Sequence, residues 1–240
     1  MGDITFGTIN SILLENIKNV FRKISSAAIR SGRNPFDVRL VAVTKTVDFE
    51  RIKEASSLGL RIFGENRVQE AGRKIADCKA QCADCDIEWH MIGHLQKNKA
   101  KAAVRLFDLI HSIDSFGLAE EVNTCASKEN KVQRVLIEVK LSEEETKHGI
   151  AKKNLMDLIE AVSGMRNIRL EGLMTIPPFF EDPEMSRPFF RELRELRDKA
   201  GTSGHRLPEL SMGMTNDYEV AILEGATIVR IGTAIFGERR

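Results

Sequence analysis

Strand-like and helix-like runs alternate along this chain through eight successive units, and that rhythm constrains the fold more than any other feature. A first helix carries Ile12, Leu13, Ile17, Val20, Phe21, Ile24 and Ala28 at helical spacing, and Gly32 and Pro35 stop it. Strands are then expected over residues 39–44, 61–64, 88–92, 106–113, 134–139, 169–174, 209–212 and 227–231. Helices are expected between them over 49–58, 68–76, 96–103, from Ser115 (with Asp114 an alternative cap), and over 154–162, 184–200 and 217–224. Strict alternation demands parallel strands joined by crossover helices. Eight such units in 240 residues predict a single (β/α)8 TIM barrel of one domain, with residues 1–35 as an extra N-terminal helix packed on it. A doubly wound open sheet is the alternative. It rarely needs eight consecutive units, and no Gly-x-Gly-x-x-Gly turn follows the first strand.

Charge and targeting signals narrow the function class. Basic and acidic residues nearly cancel, 36 against 35, so nothing favours nucleic acid as a partner. The N-terminus lacks a basic stretch followed by an apolar run, and position 6 is Phe where a myristoylation motif needs Ser or Thr. No apolar run approaches the ~20 residues that span a bilayer. A cytoplasmic protein that does not bind membranes is expected. Cys78, Cys82 and Cys85 cluster, with Cys125 apart. A structural zinc site usually takes four ligands in two pairs, so reduced thiols in a polar loop are the simpler reading.

In such barrels function collects where the strands end. Here those ends are polar: Thr44-Lys45-Thr46, Gly64-Glu65-Asn66-Arg67, His90 with Gly93-His94, His111 with Asp114, Met174-Thr175, Ser211-Met-Gly-Met-Thr215 and Arg230-Ile-Gly232-Thr233. A lysine after a buried strand either snorkels to solvent or is held for use. Desolvation lowers an amine's pKa and makes it nucleophilic toward an aldehyde. The last two loops suit phosphate: Ser211, Thr215 and Thr233 offer hydroxyls, Gly213 and Gly232 admit close backbone approach, and a helix expected near Asn216 offers free N–H groups. Read more plainly, these are turn glycines and caps. Arg230 sits within an apolar strand and must meet a carboxylate or a ligand there.

Several segments together resemble one family, the pyridoxal phosphate homeostasis proteins, whose barrel is that of the alanine racemase N-terminal domain. They are Val41-Ala-Val-Thr-Lys45, Phe63-Gly-Glu-Asn-Arg67, the run from Trp89 to Lys99, His111-Ser-Ile-Asp-Ser115, Glu171-Gly-Leu-Met174, Ser211-Met-Gly-Met214 and the ending from Val229 to Gly237. The resemblance covers almost the whole chain. It implies pyridoxal 5′-phosphate held on Lys45 as a Schiff base, with Arg230 facing the pyridine nitrogen. It further implies that Ser211, Thr215, Gly232 and Thr233 contact the phosphate, and that Asn66 and His90 lie near the ring. Two positions depart from the pattern: Thr215 stands where the family often has Ser, and Lys140 ends the fifth strand where a small polar residue is expected.

The resemblance also frames the choice between carrier and catalyst. An Arg partner leaves the ring nitrogen unprotonated and weakens the electron sink, although racemases of related fold use one too. Two-sided proton transfer needs a second base. In those racemases a tyrosine from a second, β-rich domain supplies it. This chain is expected to lack that domain, and its single tyrosine, Tyr218, is expected to pack or lie on the surface. The expectation is a monomeric carrier that stores, buffers or delivers the cofactor to client enzymes that use it. A weak or vestigial amino-acid racemase is the alternative, and a structural protein with an empty barrel the third reading. Lys97, Lys99 and Lys101 are read as a solvated helix face.

Overall fold

The computed structural model describes residues 4–81, 86–144 and 148–238. Helix α1 (Ile4–Arg30) leads into β1 (Arg39–Val43), α2 (Phe49–Ser57), β2 (Ile62–Glu65), α3 (Val68–Gln81), β3 (Glu88–Met91), α4 (Ala100–Leu106), β4 (Leu109–Ile113), α5 (Phe116–Lys128) and β5 (Gln133–Lys140). Then follow β6 (Ile150–Ala151), α6 (Leu155–Ser163), β7 (Ile168–Met174), α7 (Arg187–Thr202), β8 (Glu209–Ser211), α8 (Tyr218–Leu223), β9 (Ile228–Ile231) and α9 (Thr233–Phe236). Side-chain caps set two of the helix starts. Asp48 accepts from the Arg51 N–H at the head of α2, and Ser115 from the Leu118 N–H at the head of α5.

Every pairing between strands is parallel. From β1 the ladder runs through β2, β3, β4, β5, β7, β8 and β9, and β9 returns to β1 with Leu40 opposite Val229 and Val41 opposite Arg230. Eight strands therefore close into a barrel, and the open-sheet alternative falls. The two-residue β6 hangs outside the ring on β5, with Ile150 opposite Val139. β7 and β8 run so close that a Cβ at Gly172 would sit 1.9 Å from the Glu209 carbonyl oxygen, so only glycine fits that crossing.

Alternation along the strands sorts side chains into two layers. Val41, Ile92, Leu109, Leu136, Met174 and Ile228 pack together as a small inner cluster. The larger apolar layer lies between strands and helices and includes Phe63, Trp89, Phe107 and Phe190. α1 buries Leu13, Ile17, Val20 and Ile24 and packs against α8 and α9. Hydrogen bonds reinforce the seam: Asn16 Nδ2 donates to the Ile235 carbonyl (3.0 Å) and Arg33 to the Ala226 carbonyl (2.8 Å).

The expected strand over 106–113 is too long. Leu106 closes α4, Phe107 is fully buried, and the Asp108 carboxylate accepts the Trp89 N–H at 2.8 Å, so β4 starts only at Leu109. Neither β6 nor α9 was expected. Cys78 and Cys125 are buried, whereas Cys82 and Cys85 lie outside the described residues. No helix among the described residues is long and apolar enough to cross a membrane.

Candidate functional site

Lys45 stands two residues beyond β1, and the backbone on both sides of it is clamped. On one side Thr44 is fully buried; its hydroxyl donates to Glu65 Oε1 at 2.6 Å, and its carbonyl accepts from Lys74 Nζ at 2.6 Å. On the other, the Thr46 N–H donates to Glu70 Oε1 at 2.7 Å. Lys74 ties the carboxylates together, reaching Glu65 Oε1 at 2.8 Å and Glu70 Oε1 at 2.7 Å. Thr46 adopts φ +65°, a left-handed conformation that a β-branched residue occupies only when its surroundings impose it. Burial pushes the Glu65 carboxyl up, against the hydrogen bonds from Lys74 and Thr44. Burial also acts to raise Glu70, but the bonds from Lys74 and the Thr46 N–H prevail and hold it below the ordinary range. Sequence reading missed Lys74. Its one signal was the i, i+4 spacing from Glu70, which usually marks only a surface pair.

A cavity of about 680 Å³ opens at this point, lined among others by Lys45, Thr46, Asp48, Arg51, Gly232 and Thr233. The Thr233 hydroxyl donates to Thr215 Oγ1 at 3.2 Å, which joins the loops after β8 and β9. Gly232 packs on β1, where an added Cβ would lie 3.4 Å from Val43 Cβ. α9 starts at Thr233; the Ile235 and Phe236 N–H groups donate to the Gly232 carbonyl at 2.9 Å each, so only those of Thr233 and Ala234 have no partner within the helix. Lys45, Thr215, Gly232 and Thr233 are thus brought together. Asn66 directly follows β2 and is half-buried, and its carbonyl oxygen is 2.5 Å from where a Gly93 Cβ would be.

Two expectations about this loop change. The helix expected near Asn216 begins at Tyr218, because the Asp217 carboxylate takes the Met214 N–H (2.7 Å) in a turn first. Gly213 has φ +92°, and its close approach is to α8: an added Cβ would lie 2.6 Å from Ala221 Cβ. Tyr218 is buried, and desolvation raises its phenol to about 12.

Inside the barrel runs a chain of polar groups. Arg134 Nη1 donates to Glu88 Oε1 (2.6 Å), and the same oxygen lies 2.9 Å from His90 Nε2. His90 Nδ1 is 3.0 Å from His111 Nε2, and His111 Nδ1 is 2.9 Å from Ser211 Oγ. Arg230 then donates to Ser211 Oγ at 2.5 Å and to the Thr175 carbonyl at 3.0 Å. Both ends dictate one polarity. The Glu88 carboxylate only accepts and the Arg230 guanidinium only donates, so protons point from Ser211 to His111 to His90 to Glu88. His90 and Ser211 therefore sit within the barrel wall network beneath Arg230. The Ser211 hydroxyl hydrogen is committed to His111, which leaves Thr215 and Thr233 as the hydroxyls at the rim.

Electrostatics agree with that assignment. Burial lowers both imidazoles, His111 well below its ordinary value, with His90 adding to the effect. The His90 hydrogen bond, ahead of that from Arg134, holds Glu88 down at about 2. Burial draws Arg230 down to about 10, opposed by Glu138 and Asp217 through space, so it stays cationic at neutral pH.

A pH dependence follows from the two neutral histidines. Below the unfolded imidazole pKa the unfolded chain takes up protons that the fold refuses. The stabilising contribution is therefore full above about pH 6.5 and is lost as pH falls, by up to about 2.7 kcal/mol per pH unit for two groups. Urea midpoints measured from pH 7.5 to 5 should fall along that slope, and His111→Gln should roughly halve it. A midpoint flat down to about pH 5 would contradict neutral burial.

A closed parallel barrel with a lysine just beyond its first strand defines the class: the model of the alanine racemase, N-terminal domain family matches residues 12–240. Within that class the chain belongs to the pyridoxal phosphate homeostasis proteins. The family member of that name from Aquifex aeolicus is 49% identical over 227 residues, covering 94% of this chain and 98% of the relative. The one from Escherichia coli K12 is 40% identical over 229 residues, covering 95% and 97%. Among solved structures, PipY of Synechococcus elongatus with PLP bound is 37% identical at TM-score 0.78, covering 91% of this chain and 100% of that one. An alanine racemase of Clostridium difficile shares the fold at TM-score 0.72 and 14% identity, over 94% of this chain and 57% of the racemase. The curated relatives are named as homeostasis proteins rather than as enzymes.

Proposed function

We propose that this protein holds pyridoxal 5′-phosphate on Lys45 as a Schiff base and stores, buffers or delivers it to enzymes that use it. The observation that carries the reading is the convergence of an amine, two hydroxyls and two loop backbones at one rim: Lys45, Thr233, Thr215 and Gly232. The donor set suits the cofactor. A primary amine suits its aldehyde, and hydroxyls with helix-start N–H groups suit its phosphate. When bound, the cofactor supplies an electron-withdrawing ring. Arg230 faces the ring nitrogen in this reading, and Asn66 lies alongside. The clamp on Thr44 and Thr46 aims the amine, while the chain ending at Ser211 fixes the guanidinium. The reading of a carrier rather than a catalyst is supported by Tyr218, whose buried phenol is no rim base. We further infer a cytoplasmic monomer of one domain.

The test is a spectroscopic titration of the purified protein with pyridoxal 5′-phosphate, followed by borohydride reduction and peptide mass mapping. One equivalent of pyridoxyl label is expected on the peptide containing Lys45. A label on other lysines, or none, would sink the reading. The racemase alternative predicts exchange of amino-acid α-protons with solvent that disappears in Lys45→Ala.

A further inference from the structure

We propose that His94, Asp114 and His148 form a binding site for a divalent first-row transition ion, with zinc as the natural probe. The three come from separate segments of one rim. His94 lies just beyond β3, Asp114 directly follows β4, and His148 precedes β6 beside β5. One ligand atom from each lies within 4.8 Å of the others. Going round the barrel, β4 and β5 stand opposite β1 and β9, and none of the three residues lines the Lys45 cavity. None of the three is among the residues proposed to hold the cofactor, although the neighbouring Gly93 packs on Asn66.

The chemistry of the donors is specific. Two imidazoles and one carboxylate form a set that zinc and its neighbours accept, with further positions left open to water. The rings stack with centroids 3.8 Å apart and planes 11° from parallel, which sets them side by side; they must turn for their in-plane nitrogen lone pairs to converge on one ion. Asp114 is oriented for the role. Its Oδ1 accepts the Ser115 hydroxyl at 3.0 Å, which leaves Oδ2 at 3.4 Å from His94 Nδ1. Such an outer hydrogen bond is how ligating carboxylates are held.

The backbone that carries each ligand is fixed. Gly93, the residue before His94, packs on Asn66, with only 2.5 Å between an ideal Cβ and the Asn66 carbonyl oxygen. Gly149, the residue after His148, has φ +116° and packs on β5, where an ideal Cβ would lie 2.7 Å from the Lys140 N. The Ile150–Val139 pairing then anchors the segment. Zinc–ligand bonds of about 2.0–2.1 Å need donor atoms roughly 3.4 Å apart in a tetrahedral site. The triangle must tighten by at most about 1.4 Å. The two histidines are exposed, so rotation of the rings can supply this without moving the backbone.

The experiment is calorimetric titration of the full chain with zinc chloride in a non-coordinating buffer, repeated with cobalt(II) for its visible absorption. One equivalent is expected to bind. His94→Gln, His148→Gln and Asp114→Asn should each weaken binding by at least about tenfold, because loss of an outer-shell partner alone costs 10–100-fold. The Cys82→Ser/Cys85→Ser double variant should bind as the unaltered chain does. Absence of stoichiometric binding would overturn the proposal. So would binding that survives in the histidine variants or is lost in the cysteine variant, which would assign the ion to thiols. Circular dichroism of each variant separates a lost ligand from a lost fold.

Discussion

Replacing Lys74 with methionine is expected to destabilise the protein by about 3–5 kcal/mol, the range found when one partner of a buried ion pair is removed. Lys74 is 8% exposed and its ammonium reaches three oxygens, on Thr44, Glu65 and Glu70. Without it Glu65, fully buried, keeps only the Thr44 hydroxyl among the partners described, and its Oε2 already has none. The sign of the pH effect follows. Loss of the cation raises the folded Glu65 pKa further above its unfolded value. The cost is then full above the folded pKa and is relieved as pH falls toward the unfolded one. The deficit in urea midpoint should therefore shrink between about pH 8 and 5, where the unaltered protein itself weakens. Adding Glu65→Gln should recover most of the loss. A deficit below about 1 kcal/mol, or one that grows as pH falls, would show that Lys74 is not the counter-charge of a buried carboxylate.

The barrel was legible because strand and helix periodicities alternate cleanly and each unit ends in a turn residue. Lys45, Gly232 and Thr233 were legible because strand ends are where such barrels place polar groups. The clamp was not. Lys74 lies 29 residues from Lys45 on a helix where its charge suggests a surface position, and only closure of β1 beside β2 brings Nζ to the Thr44 carbonyl. The inward contacts of Ser211 were not legible for a related reason. A serine at a strand end can point to the rim or inward, and sequence carries no sign of the choice. The register of β8 turns it onto His111 and Arg230. α9 escaped because four residues without a side-chain cap leave no periodic signal.

The same inward register gives the second large effect. Arg230→Leu is expected to cost about 3–5 kcal/mol, as removal of a buried, hydrogen-bonded charge does. Arg230 is 3% exposed, and its guanidinium donates to both Ser211 Oγ and the Thr175 carbonyl, while the buried carboxylates of Glu138 and Asp217 act on it through space. Leucine leaves the Thr175 carbonyl without this donor and removes a nearby cation from Glu138 and Asp217. Arg230→Lys keeps the charge but not the fork, so its cost should fall between leucine and the unaltered chain. The polarity argument adds a sharper expectation. Arg230 and Ser211 belong to one directed chain ending at Glu88, so a double-mutant cycle with Ser211→Ala should show a coupling of about 0.5–3 kcal/mol, whereas distant independent sites add within about 0.5 kcal/mol. Urea unfolding with an unchanged slope would report both quantities. Additive losses in that cycle would mean that the histidines and Ser211 fill the barrel without orienting the guanidinium.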